Sequence, residues 1–200
     1  MSRETWAREF TALARAHWTD ARTAALADGK QLAILPAEAP LLLRALGLLH
    51  RDATMPPREV RKFLQINHVV RLLHPTLAEL HRKHGVVRVL DAGCGRSYLT
   101  LLLAHCARAR GESLAVLGVD RDAAVIAECE RRTEIAGLAD TVRFLASPLD
   151  ALGDEPTHAV FALHACDTAT CDAIALGVAR GADLIAVAPC CQAELARAWT

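Results

Sequence analysis

The residues with the clearest chemical content are Asp91, Gly93 and Gly95, at the end of Val86-Val87-Arg88-Val89-Leu90-Asp91-Ala92-Gly93-Cys94-Gly95. Two glycines separated by one residue let the backbone turn sharply and approach a ligand closely. A helix that starts directly after such a turn aims its first N–H groups at that ligand. The dinucleotide fingerprint needs a third glycine at position 98, which here is Tyr98, so nicotinamide and flavin dinucleotides are disfavoured. An acidic side chain ahead of the glycines repels a pyrophosphate but accepts a hydrogen bond from an ammonium group. S-adenosylmethionine carries an α-ammonium and a sulfonium, so the chemistry leans to that cofactor. The competing reading is a tight strand-to-helix turn with no ligand.

Four further polar clusters end apolar runs. Asp120 closes Leu114-Ala115-Val116-Leu117-Gly118-Val119-Asp120, 25 positions beyond Gly95, and a carboxylate there can accept both hydroxyls of an adenosine ribose. Ser147 follows the run 141–146 and is a candidate for the edge of an adenine. His164-Ala165-Cys166-Asp167 follows 158–163, and Pro189-Cys190-Cys191-Gln192 follows 183–188. Three readings compete for these last two segments. In a methyl-acceptor pocket, His164 or Asp167 orients or deprotonates a nucleophile; methyl transfer is an in-line displacement, so positioning matters most and proton abstraction adds modestly. A thiolate metal site would use Cys166, Cys171, Cys190 and Cys191, but their spacing matches no familiar pattern, and no metal is expected. A cysteine nucleophile would be Cys190, in the Pro-Cys arrangement of C5-pyrimidine methylases. Cys94, Cys106 and Cys129 read as inert buried thiols.

These residues need a scaffold that gathers them. From residue 86 apolar strand patterns alternate with helical ones, which implies a right-handed parallel α/β sheet. The first run is β-branched and reads as a fully buried strand. The helix after it spans about 97–110 and stops at Gly111; the next runs Ala123–Ala136, capped by Asp122 and stopped by Gly137. Ligands in such sheets bind beyond the carboxyl ends of the strands. In the usual order 3-2-1-4-5 all five tips converge, with the fourth and fifth adjacent.

Ahead of the sheet lie helical patterns. Residues 3–28 place Trp6, Phe10, Leu13 and His17 on one face, with His17 read as a core histidine, and Asp28-Gly29 as the stop. Residues 38–50 form a leucine-rich helix. Met55-Pro56-Pro57 is the best boundary, dividing a helical extension over 1–57 from a sheet domain over 58–200. Residues 58–84 carry the stripe Phe63, Ile66, Val70, Leu73, Leu77, Leu80, with Pro75 expected to break or kink the helix after His74. Polar residues of this helix, among them Arg58, Arg61, Lys62, Gln65, Asn67 and His68, are candidates for the cofactor mouth or a polyanion, against the plainer reading of a solvated face.

Of the 200 residues 52% are hydrophobic, enough for a sizeable core, which excludes a disordered chain. The formal charge is zero, but residues 1–85 hold 13 basic and 8 acidic side chains while residues 86–200 hold 10 and 15. A basic first part can face a phosphate backbone; the plainer reading, which the sequence favours, is ordinary solvated helix surface. Seven cysteines without regular spacing read as reduced thiols. Arg3, Glu4, Arg8 and Glu9 interrupt any apolar leader, and no run approaches membrane-spanning length. The expectation is a cytoplasmic protein without a membrane partner.

Together the segments Arg61-Lys62-Phe63-Leu64-Gln65-Ile66-Asn67-His68, Asp91 to Thr100, Leu163-His164-Ala165-Cys166-Asp167-Thr168-Ala169-Thr170 and Ala188-Pro189-Cys190-Cys191-Gln192 resemble a class I methyltransferase family. The likeness is to methyltransferase-domain proteins with a His-Ala-Cys-Asp and a Pro-Cys-Cys segment, a group that includes glutathione S-transferase C-terminal domain-containing proteins. It is more distantly similar to tRNA 2′-O-methyltransferases. The resemblance spans about 58–195 and implies a Rossmann-like fold. It also implies S-adenosylmethionine held by Asp91, Gly93, Gly95 and Asp120, and an acceptor, RNA (tRNA or rRNA), near His164–Asp167 and Pro189–Gln192. Such folds continue after the fifth strand with a helix and an antiparallel strand pair. Here the sequence ends just after that strand, so a fragment or a shortened sheet is expected. A shortened sheet would expose an apolar edge needing a second copy or a partner chain. The leading reading is a methyltransferase; the alternative is a non-catalytic module that binds cofactor or RNA.

Overall fold

The structure, a computed structural model, describes residues 2–163 and 168–188. Its centre is a five-stranded parallel sheet of β1 (Val86–Ala92), β2 (Ser113–Asp120), β3 (Val142–Ala146), β4 (Ala159–Ala162) and β5 (Leu184–Val187), in the order 3-2-1-4-5. This is the α/β class I methyltransferase architecture expected from the sequence. The sheet carries two apolar clusters, one on each face. Val87, Val89, Val116, Val142 and Phe161 belong to the first; Leu90, Ala92, Val119, Val160 and Ala162 belong to the second. The alternation along β1 and β4 follows the period-two direction of side chains in a strand.

On the first face lie α4 (Pro57–His84), α5 (Tyr98–Ala109) and α6 (Ala123–Ala136), joined by α1 (Arg3–His17), α2 (Asp20–Ala27) and α3 (Pro40–Ala45). The second face carries α7 (Thr168–Ala179) and a short 3-10 turn, Leu149–Ala151. Because among the described residues that turn is the only helical element over the second face between β3 and β4, a groove of about 540 Å³ remains along Arg88, Leu90, Ala115, Leu117, Arg143 and Leu145. The fully buried strand expected at 86–92 is therefore corrected: Val86 and Arg88 are exposed, and only its last four residues are buried throughout.

Three helical expectations also change. The single helix over 3–28 is two, because Trp18 leaves the helical path and its indole N–H donates to the Ala53 carbonyl at 2.8 Å. Thr19 then caps α2, accepting from Arg22 N at 3.4 Å. The packed face of α1 is Trp6, Phe10 and Ala14, while Leu13 is 44% exposed. His17 is a partly exposed partner of Arg22, at 3.0 Å, rather than a core residue. The leucine-rich helix over 38–50 shortens to α3. Pro75 does not break α4, which runs from Pro57 to His84. Pro75 and Arg71, whose carbonyl loses its partner, both face solvent, where water can satisfy that carbonyl. The expected stripe, buried from Phe63 to Leu80, holds the helix on both sides of the proline. Among the described residues no helix is long and apolar enough to cross a membrane.

Candidate cofactor site

The tips of β1, β2 and β3 are sewn together by backbone hydrogen bonds. Cys94 N donates to the Val119 carbonyl at 2.9 Å, and Ser147 N donates to the Asp120 carbonyl at 3.0 Å. Between them the chain turns through Gly93 at φ 68° and Gly95 at φ 50°, the left-handed conformations that favour glycine. Ser97 also takes a positive φ, 55°, and accepts from Leu101 N as α5 begins. A Cβ placed at Gly95 would meet nothing within 4 Å, so the turn opens onto free space.

Two carboxylates border this turn. Asp120 accepts from Gly95 N through Oδ2 and from Asp122 N through Oδ1, each at 3.0 Å. Each oxygen keeps a lone pair for a ligand hydroxyl. Asp122, expected as the cap of α6, accepts from Ala124 N at 2.8 Å and Val125 N at 3.3 Å. Asp91 is buried and accepts a hydrogen bond from Thr100 Oγ1. Burial pushes its carboxyl up to about 6; the Thr100 bond opposes the shift and the charge of Asp120 adds to it. Among the described residues neither carboxylate pairs with a lysine or arginine. Two neighbouring anions beside an open turn form an arrangement that a cationic ligand bearing hydroxyls would complete.

Below the turn the thiols act as anchors. Ser97 Oγ donates to Cys129 Sγ at 3.1 Å, and Cys129 Sγ donates to the Gly95 carbonyl at 3.2 Å. The hydrogen bond to Cys129, together with burial, holds the Cys94 thiol well above its ordinary pKa. Cys94, Cys106 and Cys129 are buried, as expected, but Cys129 also fixes the turn. On the other side Arg132 donates to the Arg96 carbonyl at 2.8 Å.

The structure thus brings together Asp91, Gly93, Gly95, Asp120 and Ser147. Ser147 Oγ is turned to the Pro148 carbonyl at 2.9 Å. His164, Asp167 and Cys190 lie outside the described residues, as do Cys166 and Cys191; of the four cysteines considered for a metal only Cys171 is described, and it is exposed. Asn67 is corrected from a candidate at the cofactor mouth to a buried brace. Its Oδ1 accepts from Ala33 N at 2.8 Å and Ile34 N at 2.9 Å, and its Nδ2 donates to the Phe63 carbonyl at 2.9 Å. Thr100, not among the expected site residues, is marked in the sequence as the one aliphatic hydroxyl among the leucines that open α5.

Comparison with known proteins agrees with this geometry. The methyltransferase-domain family matches residues 61–198. No curated protein matches the chain. Among solved structures, a methyltransferase from Podospora anserina bound to S-adenosylhomocysteine is 15% identical, with a TM-score of 0.54, over 81% of this chain and 63% of that one. S-adenosylmethionine-dependent methyltransferases from Thiobacillus denitrificans and Geobacter sulfurreducens, each in complex with S-adenosylhomocysteine, are 24% identical. Their TM-scores are 0.38 and 0.39, and each likeness covers 53% of this chain and 43% of the other. The chain spans less than half the length of these two.

Proposed function

The chain belongs to the methyltransferase-domain family, and from that premise we propose that it is an S-adenosylmethionine-dependent methyltransferase whose acceptor is RNA. The observation that carries the cofactor reading is the pair of carboxylates, Asp91 and Asp120, without cationic partners among the described residues and set around an open glycine turn. When bound, S-adenosylmethionine supplies an electrophilic methyl group on a sulfonium. Asp91 takes the α-ammonium, which replaces the solvent its carboxylate has lost. Asp120 accepts the ribose hydroxyls with the lone pairs left by Gly95 and Asp122. Ser147, its own proton committed to Pro148, offers an acceptor to an exocyclic amine of the base. The Podospora anserina neighbour, whose structure holds S-adenosylhomocysteine, supports the cofactor.

On the acceptor side the candidates are His164 and Asp167, which follow β4 in the sequence, and Cys190, which follows β5. Their proposed work is to orient the nucleophile and remove its proton. The excess of basic residues over 1–85 and the distant likeness to tRNA 2′-O-methyltransferases support RNA as the acceptor. Calorimetric titration with S-adenosylmethionine and S-adenosylhomocysteine tests the cofactor, with Asp120→Ala as the control that loses the heat. Transfer of a labelled methyl group to total cellular RNA tests the acceptor, with His164→Ala and Asp167→Ala reducing it. No heat from folded wild type removes the reading. Heat with no transfer to RNA or protein leaves the non-catalytic module.

A further inference from the structure

Beside the glycine turn, on the helical side, lies a second cleft of about 520 Å³ whose lining is dominated by cations. Its size falls in the range of ligand sites. Arg61 and Lys62 come from α4, Arg96 from the turn itself and Arg132 from α6, with Tyr98 between them. Arg58 also lines it, together with Glu59, the single acidic residue among the described residues of the lining, which Arg58 already engages at 3.2 Å. Among the described residues Arg61, Lys62 and Arg96 form no ion pair. Like charges gathered in a concave surface raise the local potential and draw in an anion.

The cleft is also partly pre-organised. Arg132, nearly buried, is fixed by Glu128 at 2.8 Å and by the Arg96 carbonyl at 2.8 Å. The Lys62 ammonium sits 3.3 Å above the centre of the Tyr98 ring, and the Arg132 guanidinium lies 5.6 Å from it. The one aromatic face in the cleft is therefore covered by a cation and offers no platform for stacking a base. What remains is a set of charge-bearing donors, which read phosphates without reading sequence. Arg58, Arg61, Lys62 and Gln65 recur at steps of three, one and three along α4. They form one face about 10 Å long, which suits successive phosphates of a strand better than a single one.

We propose that this cleft holds the phosphodiester backbone of a single-stranded stretch of RNA, through Arg61, Lys62, Arg96 and Arg132, beside the turn that holds the cofactor. The proposal rests on the reading that the acceptor is RNA, and it assigns the surface that grips it. Each phosphate neutralised on a single strand contributes about −0.7 to the slope of log affinity against log salt. Removing two cations should therefore flatten that slope by about 1.4.

The test titrates the full chain with a fluorescent 20-nucleotide oligouridylate, from low to moderate salt, alongside S-adenosylhomocysteine and inorganic pyrophosphate. The expected result for Arg61→Gln/Lys62→Gln is a slope lower by about 1.4 and an affinity at least about tenfold weaker at low salt, with S-adenosylhomocysteine binding unchanged. Arg61→Gln alone, at an exposed position, gives about half the change in slope and serves if the double variant unfolds. Unchanged RNA affinity and slope in both variants overturn the proposal. So does wild type that binds no oligonucleotide, or one that binds pyrophosphate as tightly as RNA, which would mark a small phosphorylated ligand. A variant that loses S-adenosylhomocysteine and keeps RNA also overturns it, by moving the cations to the cofactor's carboxylate. Failure of the cofactor reading shows separately, as absent heat in wild type.

Discussion

Replacing Asp91 with asparagine should make the apoprotein more stable while removing its grip on the cofactor. The side chain is buried, and its carboxyl is raised from 3.8 to about 6, chiefly by loss of solvent. A carboxyl whose native pKa exceeds its unfolded one holds its proton more tightly when folded, so ionising it destabilises the fold. The cost is absent below about pH 4, grows between there and about 6, and is complete above. At about 1.4 kcal/mol per pKa unit the full cost is about 3 kcal/mol, and about half of that at pH 5. Asparagine matches the shape, still accepts from Thr100, and has no charge to desolvate. Urea unfolding followed by tryptophan fluorescence should show Asp91→Asn more stable than wild type by up to about 3 kcal/mol at pH 7.5, by less at pH 5, and by nothing at pH 3.5. In calorimetry the same variant should bind S-adenosylhomocysteine at least about tenfold more weakly, the worth of a charge-assisted hydrogen bond. Wild-type affinity should itself fall as pH drops through about 6. A variant no more stable than wild type at pH 7.5, or one whose gain is the same at every pH, would refute the reasoning.

Other substitutions probe the supports of the site. Asp120→Ala removes the acceptor of Gly95 N and Asp122 N and should weaken S-adenosylhomocysteine by about tenfold to a hundredfold in calorimetry. Gly118→Ala would set a Cβ 2.5 Å from the Phe144 ring and 3.2 Å from Cys94 Sγ, and should lower stability in urea by about 1–3 kcal/mol through overpacking. Asn67→Ala strands two backbone N–H groups of the segment before α3 and should cost about 2–3 kcal/mol in the same assay, with no effect on cofactor affinity in protein that remains folded.

The sheet and the site on its tips were legible because both depend on local patterns. Largely apolar runs that end in a polar residue mark parallel strands, and Asp91, Asp120 and Ser147 all fall at the strand ends where that pattern puts them. Asp122 and Gly137 bound α6 at the expected residues because capping is settled within one turn of chain. The errors came where a distant partner decided the outcome. Nothing near Trp18 announces the Ala53 carbonyl that draws its indole out of the helix; Asn67 stands on the apolar stripe of α4, four residues after Phe63 and three before Val70, but the Ala33 and Ile34 N–H groups it braces belong to a distant segment. Pro75 survives inside α4 because the Arg71 carbonyl that it leaves without a partner lies on the solvent side, a matter of which side of the helix is packed. The uncovered half of β1 follows from a connection of only 12 residues between β3 and β4, too sparing to lay a helix across that face.

Tyr98 is informative in a different way. In the sequence it argues only against a dinucleotide, because it stands where a third glycine would. In the fold it opens α5 and forms the floor of the basic cleft, under Lys62. The same residue thus sits between two charge environments: a buried and a half-buried carboxylate, without cationic partners among the described residues, on one side of the turn, and on the other a cleft whose Arg61 and Arg96 are exposed and whose Lys62 is half-buried. Salt should separate them. Buried charges are screened little and exposed ones strongly, so S-adenosylhomocysteine affinity should stay nearly constant between 50 and 200 mM salt, roughly the range over which phosphate contacts lose most of their strength, while oligouridylate affinity falls steeply. If the two affinities declined together, the carboxylates and the cations would be acting on one ligand, and the division of the molecule into a cofactor side and a phosphate side would be wrong.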